Sequence, residues 1–432
     1  MADISLAADR GLLRNRAFLA LWSAQILSQV AANAITSALI VLVAELTKSN
    51  TSSSILILLA IVPAVLFGIV AGVIVDRSER RRVLVITNAL RAAAVAPLLI
   101  LGQSLATAYI VNFLVAAITV FFVPAEAAIL PSIVRKRDLL VANSLFTFTF
   151  NGAFLVGFII LGPVVIALAG FETLFIITGA MFASSALLCV TLPSAPKAGT
   201  AAIGLDVAGV AAKRARRNIG EALAFLRTAP VVSWSLVYIA LTYTLVAVAG
   251  ALAPGFVREV LGVGERNTII LIGPAGIGVV AGLGALNLVS RRLRPARIVG
   301  IGLLVTLSAL LALAAARPLT GIFRGAASAQ LAEAFPFFVA IIAVTSFVFG
   351  IAYAFITVPA MTMLQEELHD EIRGRIFGVL NMLVSVFSFL PLLVVGPTAD
   401  VWGIAPVFVG AAVVVGVVYV MGRGTRALRA QG

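Results

Sequence analysis

Residues 54–82 read SILILLAIVPAVLFGIVAGVIVDRSERRR. From Ser54 to Val75 no position is charged, whereas six of the next seven, Asp76 to Arg82, are. Crossing a hydrocarbon core about 30 Å thick takes about 20 mostly apolar residues of α-helix, which this run supplies. The run is continuous and lacks the two-residue alternation of a barrel strand, so the period favours helix. In lipid no water is at hand for the backbone amides, and a helix satisfies them internally. The arginines that close the stretch belong to a loop retained on the inner side of the membrane.

The whole chain has this character. Of 432 residues, 62% are hydrophobic and 11% charged, and mean hydropathy is +1.14. Soluble domains carry about 45–50% apolar and about 25% charged residues, so a soluble enzyme is excluded. Outward from residue 54, charge clusters and Gly/Pro/Ser runs delimit twelve spans, near 17–46, 54–75, 83–102, 107–130, 142–168, 173–192, 231–257, 268–290, 297–316, 334–364, 377–400 and 405–422. The first follows Arg10, Arg14 and Arg16 and is too long for a cleaved signal segment, so it reads as a retained helix.

The net charge of +13 comes from 31 basic against 18 acidic residues. With the N-terminus in the cytoplasm, 25 basic residues fall in cytoplasmic segments and five outside, with Arg91 alone inside a span. That asymmetry places both termini in the cytoplasm and explains the high pI without a nucleic-acid partner. One Cys (Cys189) and one His (His369) rule out a disulfide framework and leave too few ligands for haem, zinc or an iron–sulfur cluster. No cofactor and no metal are expected.

Residues 193–230 interrupt the apolar rhythm. They begin Pro193-Ser-Ala-Pro196 and carry a basic, amphipathic stretch through Lys213–Arg217 to Arg227, which suits either a surface helix or a solvated tether at anionic lipid. The expected domains are therefore a six-helix bundle over 1–192, a cytoplasmic linker over 193–230 and a second bundle over 231–432. The halves echo one another. Pro63-Ala64 with Ala71-Gly72 returns as Pro274-Ala275 with Ala281-Gly282, Val123-Pro-Ala125 as Val358-Pro-Ala360, and Gly162-Pro163 as Gly396-Pro397. Matches in corresponding spans argue for a parallel repeat.

The stretch Gly72-Val-Ile-Val-Asp76-Arg77-Ser-Glu-Arg80-Arg81-Arg82 resembles the loop between helices 2 and 3 of the major facilitator superfamily, G-x-x-x-D-R-x-x-R-R. The resemblance extends over nearly the whole chain. It implies a twelve-helix, all-α fold in which this loop gates the cytoplasmic side, with Asp76 meeting the start of helix 11 near Gly374–Gly378. Gly72 would let a neighbouring helix approach closely, and an anion beside a helix N-terminus is favourable. The alternative is a purely topogenic arginine cluster. The second-half copy keeps Arg291-Arg292-Leu-Arg294 but not the Asp. Phe122-Val-Pro-Ala-Glu126, Leu130-Pro131, Ala142-Asn143-Ser144-Leu145, Glu221 to Pro230 and Gln365 through Arg375 resemble the bacterial drug, macrolide and siderophore exporters. Gly152, Gly157 and Gly162-Pro163 partly match the antiporter signature, although Val164-Val165-Ile166 stand where its trailing glycines would be.

The family lines its central cavity with helices 1, 4, 7 and 10, and here those spans carry polar residues at helical spacing. They are Gln25, Gln29 and Asn33; Asn112, Thr119 and Glu126; Ser235, Tyr238 and Thr242; and Ser346, Tyr353 and Thr357. Interhelical hydrogen bonding is the alternative for each. Arg91 and Glu126 lie at comparable depth on neighbouring spans, reading either as a structural ion pair or as a protonatable coupling site. The expectation is a bacterial inner-membrane secondary transporter, a monomer among lipids, that exports a hydrophobic or amphiphilic small molecule against protons as a multidrug-type efflux antiporter. A lysophospholipid or lipid carrier on the same fold is the alternative. A membrane enzyme is disfavoured, since no carboxylate pair or Ser/His/Asp set occurs in the spans.

Overall fold

The structure, a computed structural model, describes residues 11–194, 229–325, 329–367 and 389–429. Among them there is no β-strand. The helices are α1 (Arg16–Thr47), α2 (Asn50–Arg77), α3 (Arg80–Val95, prolonged by Pro97–Ile100) and α4 (Leu105–Ile133). The helical run Lys136–Val190 breaks at Gly170, where φ is +81°, into α5 (139–169) and α6 (171–190). A glycine is suited to that left-handed φ, which an L side chain would strain. The second half holds α7 (Pro230–Phe256), α8 (Ile269–Val289), α9 (Pro295–Gly325), α10 (Ala329–Glu367), α11 (Phe389–Trp402) and α12 (Ile404–Arg429).

Among the described residues ten helical runs are long and apolar enough to cross a membrane. The break at Gly170 divides one of them, and the shorter α11 completes the twelve spans read from the sequence. Prolines at 63, 124, 254, 274 and 359 sit inside helices. Membrane helices tolerate them because neighbouring groups take up the freed backbone bonds.

Packing divides the chain into two compact units, one of Met1–Thr47 with Leu58–Gly204 and one of Lys48–Ile57 with Leu205–Gly432. In the first, α1 packs on α6 and on the end of α5, and α3 packs on α4 and α6. Phe18, Leu21, Leu84, Phe122, Ile129 and Phe146 form its core. In the second, α8 and α9 pack most extensively on α10. The leading helix of each half, α1 and α7, is the most enclosed of its half. The linker stretch 195–228, where a surface helix was one reading, lies outside the described residues.

Very close helix contacts occur where glycines leave room. A Cβ on Gly157 would stand 2.9 Å from the Cβ of Asn33, and one on Gly162 2.9 Å from Ser37. In the second unit, Gly278 and Gly350 leave no space between α8 and α10 for a Cβ, and one on Gly282 would fall 2.9 Å from Ala354. Gly72 differs from the expectation. A Cβ there would meet nothing within 4 Å, so no neighbouring helix among the described residues uses it for a close approach.

Candidate functional site

The deepest charges of the first unit gather on four helices. On α3, Asn88 and Arg91 are three residues apart; on α4, Phe122 and Glu126 are four apart; on α6, Phe182, Ser185 and Cys189 follow the same spacing. Each set therefore shares one helix face. Arg91 is 1% exposed and Glu126 6%. Arg91 Nη1 donates to Ser28 Oγ of α1, and that hydroxyl donates to Asn88 Oδ1 at 2.9 Å. Asn88 Nδ2 in turn donates to the Leu84 carbonyl at 3.0 Å and faces Cys189 Sγ at 3.9 Å. The guanidinium lies over the Phe122 ring, 4.4 Å from its centroid, and 5.6 Å from that of Phe182. Cation–π contacts of this kind are worth about 2 kcal/mol when desolvated.

The structural ion pair between Arg91 and Glu126, one of the two readings the sequence allows, is not formed as a direct contact. Their charges lie within electrostatic reach, yet no N···O pair between them approaches within 4.0 Å. Arg91 Nε and Nη2 and Glu126 Oε1 are instead buried with no hydrogen-bond partner. Ser28 takes one donor of the guanidinium toward α1, and the guanidinium carbon lies over the Phe122 and Phe182 rings. Phe122, one turn before Glu126, takes the contact that the carboxylate was expected to make.

Where α2 gives way to α3, Asp76 and Arg77 at the end of α2 are exposed. Arg80 Nη1 donates to the Ala128 carbonyl at 2.9 Å, tying the loop to the end of α4. Arg81 Nη1 reaches Ser194 Oγ at 3.5 Å, and Glu79 pairs with Arg82 at 2.6 Å. The partner expected for Asp76, near Gly374–Gly378, lies outside the described residues.

The polar stripes divide by fate. Gln25 Nε2 donates to the Phe146 carbonyl at 3.3 Å, an interhelical bond to α5. Asn33 Nδ2 donates to the Gln29 carbonyl at 2.8 Å, and Gln29 and Asn112 are buried. Thr119 and Thr242 bond back to the carbonyls of Val115 and Tyr238, both at 2.6 Å. Tyr238 is a packing residue rather than a lining one. It is 1% exposed, lies 5.7 Å from the Trp234 ring, and its hydroxyl abuts Gly422 of α12. The residue on α7 that faces the α10 stripe is Tyr243, which the sequence reading passed over; its hydroxyl interacts with that of Tyr353, one turn before Thr357.

A second constellation also escaped the sequence reading. At the start of α2, Asp400 of α11 accepts from the Asn50 and Thr51 amides at 2.7 and 3.0 Å. It also accepts from the Ser49 and Thr51 hydroxyls, both at 2.6 Å. A carboxylate at a helix N-terminus satisfies orphan amides and complements the dipole. Beside it Lys48 pairs with Glu265 at 2.9 Å, Arg258 with Glu265 at 3.4 Å and with Glu259 at 3.1 Å, and Asn50 Nδ2 donates to Glu259 at 3.2 Å. Burial alone would push the Glu265 carboxyl up; the hydrogen bond from Lys48 and the two cations outweigh it and hold the group below the usual carboxylate range. Gly396 permits this approach, since a Cβ there would fall 2.7 Å from the Thr51 Cα. No ordinary sequence signal joins residues 350 positions apart.

Solved structures of the same architecture include a variant of the nucleoside transporter NupG, with TM-score 0.68 and 15% identity over 94% of this chain and 99% of that one. A bacterial homologue of the human lysosomal transporter Spinster, inward-facing and unoccupied, gives TM-score 0.66 and 14% identity over 95% and 97%. The POT family transporter PepTSo gives 0.64 and 14% over 95% and 98%. At such identities these likenesses speak for the fold alone. No curated protein sequence matches the chain. Residues 21–391 match the Major Facilitator Superfamily, a span that takes in the 72–82 loop and the Arg91–Glu126 core. The chain belongs to the Major Facilitator Superfamily.

Proposed function

We propose that this membrane transporter works by alternating access and exports a hydrophobic or amphiphilic small molecule in exchange for protons, with Glu126 as the group that holds the proton. The carrying observation is the Glu126 carboxyl itself: deep in the first unit, with Oε1 buried and without a hydrogen-bond partner. An ionisable group so placed in a membrane helix marks a functional site by default, proton relays among the kinds known. Each unit offers uncharged polar groups for a bulky substrate: Gln29, Asn33 and Thr119 on α1 and α4, and Tyr243, Tyr353 and Thr357 on α7 and α10. Uncharged groups suit an amphiphile better than a dicarboxylate or a sugar phosphate. The excess of basic residues in the loops read as cytoplasmic supports cytoplasmic termini, and a bacterial inner membrane is the location that goes with this reading.

The test is transport in proteoliposomes under an imposed pH gradient, with a panel of hydrophobic dyes and lysophospholipids. Glu126→Gln is expected to abolish gradient-driven export while leaving substrate exchange in place. Full gradient-driven transport by that variant would remove Glu126 from the mechanism. Indifference of the wild type to the gradient, with lysolipid moved down its own gradient, would favour a lipid carrier.

A further inference from the structure

Arg91 and Glu126 pose a question that their burial sharpens. Two formally opposite charges share one membrane core within electrostatic reach, yet they do not touch. If both were ionised, contact would be strongly favoured in so apolar a place. The guanidinium is held instead by a single hydrogen bond to Ser28 and by two ring contacts. What it leaves unused are Nε and Nη2, the adjacent pair of donors that a carboxylate engages in bidentate fashion. The unused acceptor is Glu126 Oε1.

We infer that Arg91 is a movable counter-charge, parked between Phe122 and Phe182 while Glu126 carries its proton and drawn onto the Glu126 carboxylate when the proton leaves. Phe122, Phe182, Ser28 and Asn88 are then positioning residues that set the balance between the two places. This rests on the reading of Glu126 as the proton site. The titratable groups facing Glu126 among the described residues are Arg91 on α3 and Cys189 on α6; α1 contributes the uncharged Ser28. Cys189 lies against Asn88, and a thiol supplies no positive charge. The rings make the parked place tolerable, because their faces attract a cation without neutralising it. Proton release thereby becomes a side-chain displacement that breaks the Arg91–Ser28 hydrogen bond between α3 and α1.

Labelling by dicyclohexylcarbodiimide, which adds to protonated carboxyls in apolar surroundings, reads this directly. Full-length protein in detergent is labelled across a pH series, and the peptide bearing Glu126 is quantified by mass spectrometry. Phe122→Leu and Phe182→Leu weaken the parked place, so Arg91 pairs with the carboxylate more readily and the labelling midpoint falls by about one pH unit. Ser28→Ala shifts it the same way, Arg91→Gln shifts it upward, and Phe122→Tyr, which keeps a ring, restores the wild-type midpoint. Should a Leu variant fail to fold, Ser28→Ala and Arg91→Gln carry the test. A midpoint unmoved by Arg91→Gln, or by the ring and Ser28 variants in folded protein, overturns the inference. Unchanged pH-driven transport by Glu126→Gln would overturn the coupling role alone, leaving the labelling series to report on the counter-charge.

Discussion

At the scale of single residues, the sharpest contrasts are steric. Gly157 sits where a Cβ would press on the Val30 carbonyl and on Asn33, whereas one on Gly72 or Gly152 meets nothing within 4 Å among the described residues. Gly157→Ala is therefore expected to destabilise the protein by about 1–3 kcal/mol through overpacking, and Gly72→Ala to leave its melting temperature unchanged. Thermal melts of the two variants in detergent check this. The sequence pointed to a close helix approach at Gly72, in the loop motif, and gave no such role to Gly157. Arg91 was legible as a buried charge, and Glu126 as its neighbour in depth. Phe122 and Phe182 were not, because one phenylalanine among 26 carries no mark of the cation it covers.

At the scale of elements, α2 starts on a borrowed carboxylate. Asp400→Asn keeps the shape but removes the charge that faces four donors, and should cost about 1 kcal/mol. The neighbouring Glu265 carboxyl is held below its ordinary range, so its contribution is present above the unfolded value and lost as pH falls through the folded one. The melting temperature should accordingly drop on acidification, and Glu265→Gln should remove part of that drop; melts against pH measure it. A drop identical in wild type and variant would show that the Lys48 and Arg258 pairs add nothing. Helix existence was legible throughout, because lipid demands unbroken apolar runs. Helix facing was not. Tyr238 and Tyr243 lie five residues apart on one helix, and only packing shows that the first is enclosed against α12 while the second meets Tyr353.

At the scale of the molecule, the family and its twelve spans account for the composition, the repeat and the basic loops. What the repeat does not duplicate is the charge. The first unit encloses Arg91 and Glu126 in its core, while the buried polar residues of the second-unit spans α7 to α10, among those described, are hydroxyl-bearing ones such as Ser235, Thr242, Thr306 and Ser346. Under the proposed function that asymmetry puts proton handling in the first unit, with a direct consequence. Substrate binding should expel the Glu126 proton, so adding a transported compound to weakly buffered, detergent-solubilised protein should release protons that a pH-sensitive dye records. The wild type is expected to release about one proton per bound substrate, as a single titrating carboxyl requires, and Glu126→Gln none at equal occupancy. Equal proton release by the two proteins would contradict the account.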